Sequence, residues 1–197
     1  TRRSSDLFNN ATTSDAKADI KMPDTAIMSV TQKLSDKWEM LGDVSWTGWS
    51  SIPKVDIYRS SNTALNVGPS SRNGALTQVL DSDFQDTWRV ALGANYQYND
   101  AWKLKFGLAY DESPVKGAST RLTSLPDNDR VWFSFGAQWA PDKASRLDLG
   151  LSYIYVQDSK INNNQLVPNP LSASRGQVIG DYSASIWLFG AQYSMAF

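Results

Sequence analysis

The 197-residue sequence contains neither cysteine nor histidine. Without cysteine there is no disulfide framework and no thiolate metal site. Without histidine the usual general base, the commonest metal ligand and every Ser-His or Cys-His pair are missing. No catalytic residue, metal ligand or cofactor is singled out in this chain. Charge of one sign is also lacking. Nineteen basic residues stand against 20 acidic ones, for a net charge of −1, so there is no basic excess of the kind a nucleic-acid surface needs. No run of about 18 apolar residues exists, which excludes a transmembrane helix. The opening "TRRSSDLFNN" has no apolar core, so no signal peptide is expected in it.

What the chain has is aromatics, 12% of it with eight Trp and eight Tyr, set into strict alternation. In "KWEMLGDVSWTGWS" the residues Trp38, Met40, Val44 and Trp46 fall on one side, and Glu39, Asp43 and Ser45 on the other. The same period of two places Trp88, Val90, Leu92, Ala94 and Tyr96 opposite Arg89, Gly93 and Asn95. It places Trp102, Leu104, Phe106, Leu108 and Tyr110 opposite Lys103, Lys105 and Asp111. Two further segments put Phe133, Phe135 and Trp139, then Leu147, Leu149, Leu151 and Tyr153, on one side. The chain ends on "IWLFGAQYSMAF", where Trp187, Phe189, Tyr193 and Phe197 form an apolar stripe to the last residue. Side chains alternate across a strand, so these segments predict strands. A weaker strand is expected over Ala16–Leu34, with Pro23 near an exposed end. That makes about seven.

The connections alternate in length. Short polar turns fall at 35–37, 99–101 and 142–145; long irregular segments are expected at about 59–86, 112–129 and 159–180. All the long ones then lie at one end of the sheet, the pattern of an outer-membrane barrel. Aromatics at strand ends (Trp38, Trp88, Tyr98, Trp102, Tyr110, Trp139, Tyr155) suit the two membrane interfaces. A soluble barrel or sandwich would give the same alternation. It would require neither the rhythm nor the interfacial aromatics, and its interior would be crowded by Trp and Phe on nearly every strand. The fold expected is all-β, an antiparallel transmembrane barrel. Bacterial barrels have even strand counts, so about seven strands predict the C-terminal part of a larger one. Residues 1–15 are read as the remnant of an extracellular loop, and 16–197 as barrel strands.

The ordered stretches "DVSWTGWSS", "WRVALGANYQYNDAWKLKFGLAYDESPV", "LPDNDRVWFSFGAQW", "LDLGLSYIYVQDSKIN" and "WLFGAQYSMAF" resemble the FadL family of outer-membrane transporters. That resemblance runs from about Ala16 to Phe197. It implies the C-terminal half of a 14-stranded barrel plugged by an N-terminal hatch. It implies a non-enzyme: passive transport, without catalysis, of long-chain fatty acids or other hydrophobic molecules, with neutral or aromatic hydrocarbons as the alternative cargo. It also implies an outer-membrane location among lipid and lipopolysaccharide, a missing N-terminal half as partner, and a Phe197 strand of the kind read by the outer-membrane assembly machinery. Outside this class, a structural barrel or an outer-membrane lipid enzyme are the alternatives.

On the inward face, Trp132, Ile154, Val156, Ile186 and Leu188 are apolar where a water-filled pore would be polar. They are candidates for a ligand pocket, or for packing against a hatch. Arg89, Lys103, Lys105 and Arg130 are inward cations that meet either a fatty carboxylate or lumen acids such as Asp43, Asp111 and Asp148. Arg89 and Lys103 are the ones proposed for a ligand. The resemblance ties a lysine, in the segment before "FQDTWR", to the carboxylate; Leu80 stands there in this chain. Asp127, Asp129 and Arg130, between Pro126 and the next strand, are expected to lock a loop by charge-assisted bonds. Two carboxylates alone make a weak cation site.

Overall fold

The computed structural model describes residues 15–60, 73–164 and 176–196. Residues 1–14 and Phe197, and with them the expected loop remnant and terminal aromatic, lie outside the described residues. Ten strands are described: β1 (Ala16–Ala18), β2 (Thr25–Lys33), β3 (Trp38–Thr47), β4 (Lys54–Arg59), β5 (Leu76–Asp81), β6 (Thr87–Gln97), β7 (Trp102–Asp111), β8 (Arg130–Trp139), β9 (Ser145–Asn164) and β10 (Gln177–Met195). Among the described residues, the one other element is a short 3-10 turn, Trp49–Ser51.

Seven strands form one antiparallel sheet in the order β10-β9-β8-β7-β6-β3-β2. It is a meander with one insertion: β4 and β5 leave the path between β3 and β6, and pair with β1 as a separate three-stranded sheet. The sequence expectation of one strand over Ala16–Leu34 needs correction here. Pro23 cannot donate to a ladder, so the segment breaks into β1 and β2, which enter different sheets. The segment at 59–86 is likewise not wholly irregular. The β4–β5 hairpin carries Val55, Ile57 and Leu80 on one face, but charged neighbours mask so short an alternation.

The short turns are built alike. Each starts with a residue whose side-chain oxygen accepts the N–H groups of the returning strand. Ser35 Oγ accepts from Lys37 and Trp38 at 3.3 and 3.1 Å. Asn99 Oδ1 accepts from Ala101 and Trp102 at 3.0 and 2.9 Å. Asp142 Oδ1 accepts from Ala144 and Ser145, both at 2.7 Å. Within the described residues, the connections at 48–86 and 112–129 lie at the opposite end of the sheet, where β9 ends and β10 begins.

Register carries the alternation from strand to strand. Phe106 faces Phe135, which faces Leu151, which faces Phe189. Trp38 faces Tyr96, and Trp102 faces Trp139. Directly opposed residues share a face, so Trp46, Leu92, Phe106, Phe135, Leu149 and Phe189 all stand on one side, as expected. That face is uncovered: Phe189 is 80% exposed, and Leu92 57%. On β6–β8 its middle is Phe and Leu, with Tyr153 and Trp187 in the same rows on β9 and β10; other Trp and Tyr residues lie near the strand ends. Trp38 and Tyr96 rings lie 4.6 Å apart, and Trp102 and Trp139 6.2 Å, at the short-turn end. Trp46 and Trp88 face each other at the other end. The span from Trp102 to Tyr110 is about 26 Å along the strand, close to the apolar band of an outer-membrane barrel, about 25 Å.

Strands β9 and β10 run to 20 and 19 residues, about twice their neighbours. A register shift between Tyr182 and Ala184 gives β9 one extra residue. Such a bulge reverses the alternation beyond it. The buried positions on β9 are accordingly Ile154 and Val156 before it, then Ser159 and Ile161 after it. The segment at 112–129 covers the edge of β9 beyond the start of β8. Gln157 and Asn162 donate their N–H groups to Asp129 and Ala118, each at 2.9 Å. Arg121, 4% exposed, donates to the carbonyls of Lys160 and Asp127.

The apolar face predicts its own energetics. Phe106→Arg, in the middle of that face, should cost roughly 2–4 kcal/mol in reversible unfolding of the complete protein from a bilayer. A loss of only a few tenths would mean that this face does not meet hydrocarbon.

Candidate functional site

The opposite face holds the candidate residues, and register arranges them in rows. Nearest the long connections lies Ser45–Arg89–Asp111–Arg130–Val156–Ala184. The next row is Asp43–Ala91–Ala109–Trp132–Ile154–Ile186, and the next Leu41–Gly93–Gly107–Ser134–Ser152–Leu188. Then come Glu39–Asn95–Lys105–Gly136–Gly150–Gly190 and, at the short-turn end, Gln97–Lys103–Gln138–Asp148–Gln192.

Five of the seven sequence candidates therefore meet. Trp132, Ile154 and Ile186 are neighbours in one row, with Val156 and Leu188 in the rows on either side. Ile154 and Val156 are buried, at 3% and 7%, while Ile186 and Leu188 are 43% and 47% exposed. The patch thus has a packed side and an open side. A hollow of about 460 Å³ lies beside it, lined by Ser134, Gly136, Gly150, Ser152, Leu188 and Gly190 among others. A β-carbon added at Gly150 or Gly190 would meet nothing within 4 Å. The indole N–H of Trp132 is buried and has no hydrogen-bond partner among the described residues, consistent with an apolar setting.

The two cations do not join this patch. Arg89 and Lys103 lie eight residues apart along the β6–β7 ladder, about 26 Å. Arg89 pairs with Asp43 at 3.3 Å. Arg130 pairs with Asp111 at 3.1 Å and with Asp127 at 3.7 Å, and Lys105 pairs with Asp148 at 3.2 Å. Lumen acids, the second option left open by the sequence, take these cations. Lys103 has no ion pair among the described residues; it lines a small hollow with Lys33, Lys37, Glu39, Asn95 and Gln97 at the short-turn end.

The "LPDNDR" stretch is a loop lock. Asp129 accepts from the Tyr110 hydroxyl at 2.6 Å and from the Ser113 N–H at 2.9 Å, and Asp127 accepts from the Ser113 hydroxyl at 2.9 Å. The base of the β4–β5 hairpin joins the same cluster. Gln85 donates its N–H to Pro114 at 2.9 Å, and Lys116 meets Asp83 at 2.6 Å. Asp83 has φ +43°, a left-handed conformation that Asp tolerates. Beside it Asp86 accepts the N–H of Ser50 at 2.9 Å. Hydrogen bonds from the Ser50 side chain and N–H hold its carboxyl below the ordinary range.

A second pocket, not found from the sequence, lies beyond the strand ends. It measures about 330 Å³ and is lined by Gln78, Leu80, Leu122, Thr123, Ser124, Asn163, Gly176 and Val178. Strand β5, the 112–129 connection and the far ends of β9 and β10 supply these residues, so no local pattern announces them; only Leu80 was singled out in advance. A larger hollow, about 570 Å³, is instead an open groove among outward side chains such as Met40, Leu92, Phe106, Phe133 and Trp187. It belongs to the exposed apolar face.

The family model described as "Outer membrane protein transport protein (OMPP1/FadL/TodX)" matches residues 4–197. The long-chain fatty acid transport protein of Escherichia coli K12 is 29% identical over 178 residues, 90% of this chain and 34% of that protein. An outer membrane protein of Neisseria meningitidis is 29% identical over 97% of this chain and 40% of its own length. Among solved structures, a Pseudomonas aeruginosa FadL homologue superposes with a TM-score of 0.74 at 23% identity, over 91% of this chain and 37% of that one. The Pseudomonas putida toluene transporter TodX superposes with a TM-score of 0.57 at 16% identity, over 93% and 37%. The chain thus spans about two fifths or less of the relatives it matches.

The unpartnered indole makes one expectation sharp. Trp132→Phe removes a buried donor that has no partner among the described residues while keeping an aromatic ring, so it should change stability by less than about 1 kcal/mol. Thermal unfolding of the complete protein measures this. A loss above about 2 kcal/mol would show that the N–H has a partner.

Proposed function

We propose, since the chain belongs to the OMPP1/FadL/TodX family of outer membrane transport proteins, that its seven-stranded sheet is a section of an outer-membrane barrel wall along which hydrophobic small molecules diffuse passively. The observation that carries this reading is the uncharged inner patch of Trp132, Ile154, Val156, Ile186 and Leu188. A lumen that admits only water gains nothing from such side chains, whereas an alkyl solute gains about 0.8 kcal/mol per buried methylene.

The cargo is a long-chain fatty acid or an uncharged hydrocarbon. Occupied cations favour the uncharged one. Arg89, Arg130 and Lys105 are already engaged by carboxylates, and no cation lies in the patch rows between them. A fatty carboxylate would displace one of these pairs or travel on to Lys103. Catalysis is no part of the proposal: without histidine and cysteine, the described inner wall offers paired charges and apolar surface, which orient and solvate a molecule but do not transform it.

The test is uptake by cells carrying the complete protein, with oleate and an uncharged hydrocarbon as solutes. Ile186→Asp is the variant of choice, because Ile186 is 43% exposed while Ile154 is 3% exposed and packs the fold. Ile186→Asp should lower uptake of both solutes about tenfold, with Ile186→Val close to the parent. Lys103→Ala should affect oleate alone. Equal uptake with and without the protein would end the transport reading.

A further inference from the structure

Resting on that transport reading, we infer that the inner face at the short-turn end carries a head-group site for one carboxylate, where a fatty acid that has passed the paired cations comes to rest. Short turns mark the periplasmic end of an outer-membrane barrel. The turns at this end, 34–37, 98–101 and 140–144, lie wholly among the described residues. The site is the hollow lined by Lys33, Lys37 and Lys103 together with Asp36 and Glu39, of about 160 Å³.

Its lysines differ from the other inner cations. Arg89, Arg130, Lys105 and Arg146 each pair with an aspartate. Lys33, Lys37 and Lys103 form no ion pair among the described residues. Register brings two of them opposite groups already committed. Lys33 stands directly across from Glu39, where a sheet allows an ion pair. Glu39 instead accepts the amide of Asn95 at 2.8 Å. Lys103 stands across from Gln97, whose amide donates to the carbonyl of Asn99 at 2.7 Å. Lys37 belongs to the turn, and its carbonyl accepts the N–H of Gln97 at 2.8 Å. The backbone is thus fixed while the three ammonium groups stay open to an anion.

Charge and size select the guest. Three lysines against Asp36 and Glu39 leave the hollow one positive charge in excess. One carboxylate cancels it, whereas a phosphate dianion would exceed it. The volume is below that of whole small-molecule sites, about 300–1,000 Å³, so the hollow takes a head group and the chain lies outside. The adjoining inner row, Leu41–Gly93–Gly107–Ser134–Ser152–Leu188, carries no charge on any strand. It runs from beside Glu39 to the inner apolar patch, a course an alkyl chain follows without meeting a charge. The ionised head then takes charge-assisted hydrogen bonds from the ammonium groups.

The complete protein in nonionic detergent, titrated calorimetrically with octanoate and with 1-octanol, tests this against a variant carrying Lys33→Gln, Lys37→Gln and Lys103→Gln. That variant should bind octanoate about tenfold more weakly than the parent, with octanol within about twofold of it. Lys33→Arg, Lys37→Arg and Lys103→Arg together keep the charge and should hold octanoate within about threefold of the parent. Octanoate affinity unmoved by the glutamine variant would overturn the site, as would a loss shared equally by octanol. Thermal unfolding identifies the rival occupant. Unmoved octanoate with a lowered, salt-sensitive unfolding temperature would mean that acidic groups elsewhere in the complete protein already hold these lysines, which also overturns the site. Uptake of an uncharged hydrocarbon by cells carrying the parent protein reads the transport proposal separately, since that solute makes no use of the three lysines.

Discussion

In hydrocarbon a backbone N–H without a partner has no water to turn to, and the rest of this structure follows from that constraint. Each unsatisfied group costs several kcal/mol, so the chain crosses as paired strands. Five of the seven sheet strands are paired on both sides, and β2 and β10 on one. Those two free edges are the demand this section of wall places on its neighbours. With the backbone committed to ladders, side chains are left with two surfaces, and register decides which surface each one joins. A slip of one residue anywhere would exchange the Phe and Leu of the outer face for the Arg, Asp and Lys of the inner one.

The inner face solves a second problem, that of holding charge close to apolar groups. Its ions sit in two bands. Asp43, Arg89, Asp111 and Arg130 lie toward the long connections, and Lys103, Lys105, Arg146 and Asp148 toward the short turns. Cross-strand distance in a sheet suits such pairs, and each pair leaves less free charge in the lumen. Between the bands on β8–β10 the wall is uncharged, first bulky (Trp132, Ile154, Ile186), then small (Ser134, Ser152, Gly136, Gly150, Gly190). On the proposed transport reading, charge at the margins and none between suits solutes that carry none.

Much of this was legible in the sequence, for a physical reason: period two is imposed by the pleat, so a strand that divides lipid from lumen shows its division in every second letter. The outward set, the short turns begun by Ser35, Asn99 and Asp142, and the inward apolar group were all readable. Pairing was not. Whether Arg89 meets a ligand or Asp43 depends on contacts 46 residues apart, and alternation is silent on partners. The β4–β5 hairpin was missed because Val55 and Ile57 sit among Lys54, Asp56 and Arg59, too short a pattern to stand above its charges. The bulge in β9 reverses the alternation without a letter to mark it; the register shift opposite Tyr182 and Ala184 and the burial of Ser159 and Ile161 reveal it.

The outer pocket was the least legible feature, because its residues come from β5, the 112–129 connection and the far ends of β9 and β10, which meet only after β9 and β10 have run on past their neighbours. That extension has a cost: beyond β8, the edge of β9 faces water or nothing. Arg121 and the 112–129 segment fill the place a strand would take, and in doing so they bring Leu122, Thr123 and Ser124 opposite Gln78 and Leu80. The same staple that satisfies an edge therefore builds a wall of the pocket. The uncharged rows of β8–β10 begin at Trp132, Ile154 and Ile186, one row in from Arg130 and Val156. The loop lock at Asp127 and Asp129 is thus tied to the lumen chemistry through one residue, since Arg130 answers to Asp127 in the loop and to Asp111 in the wall.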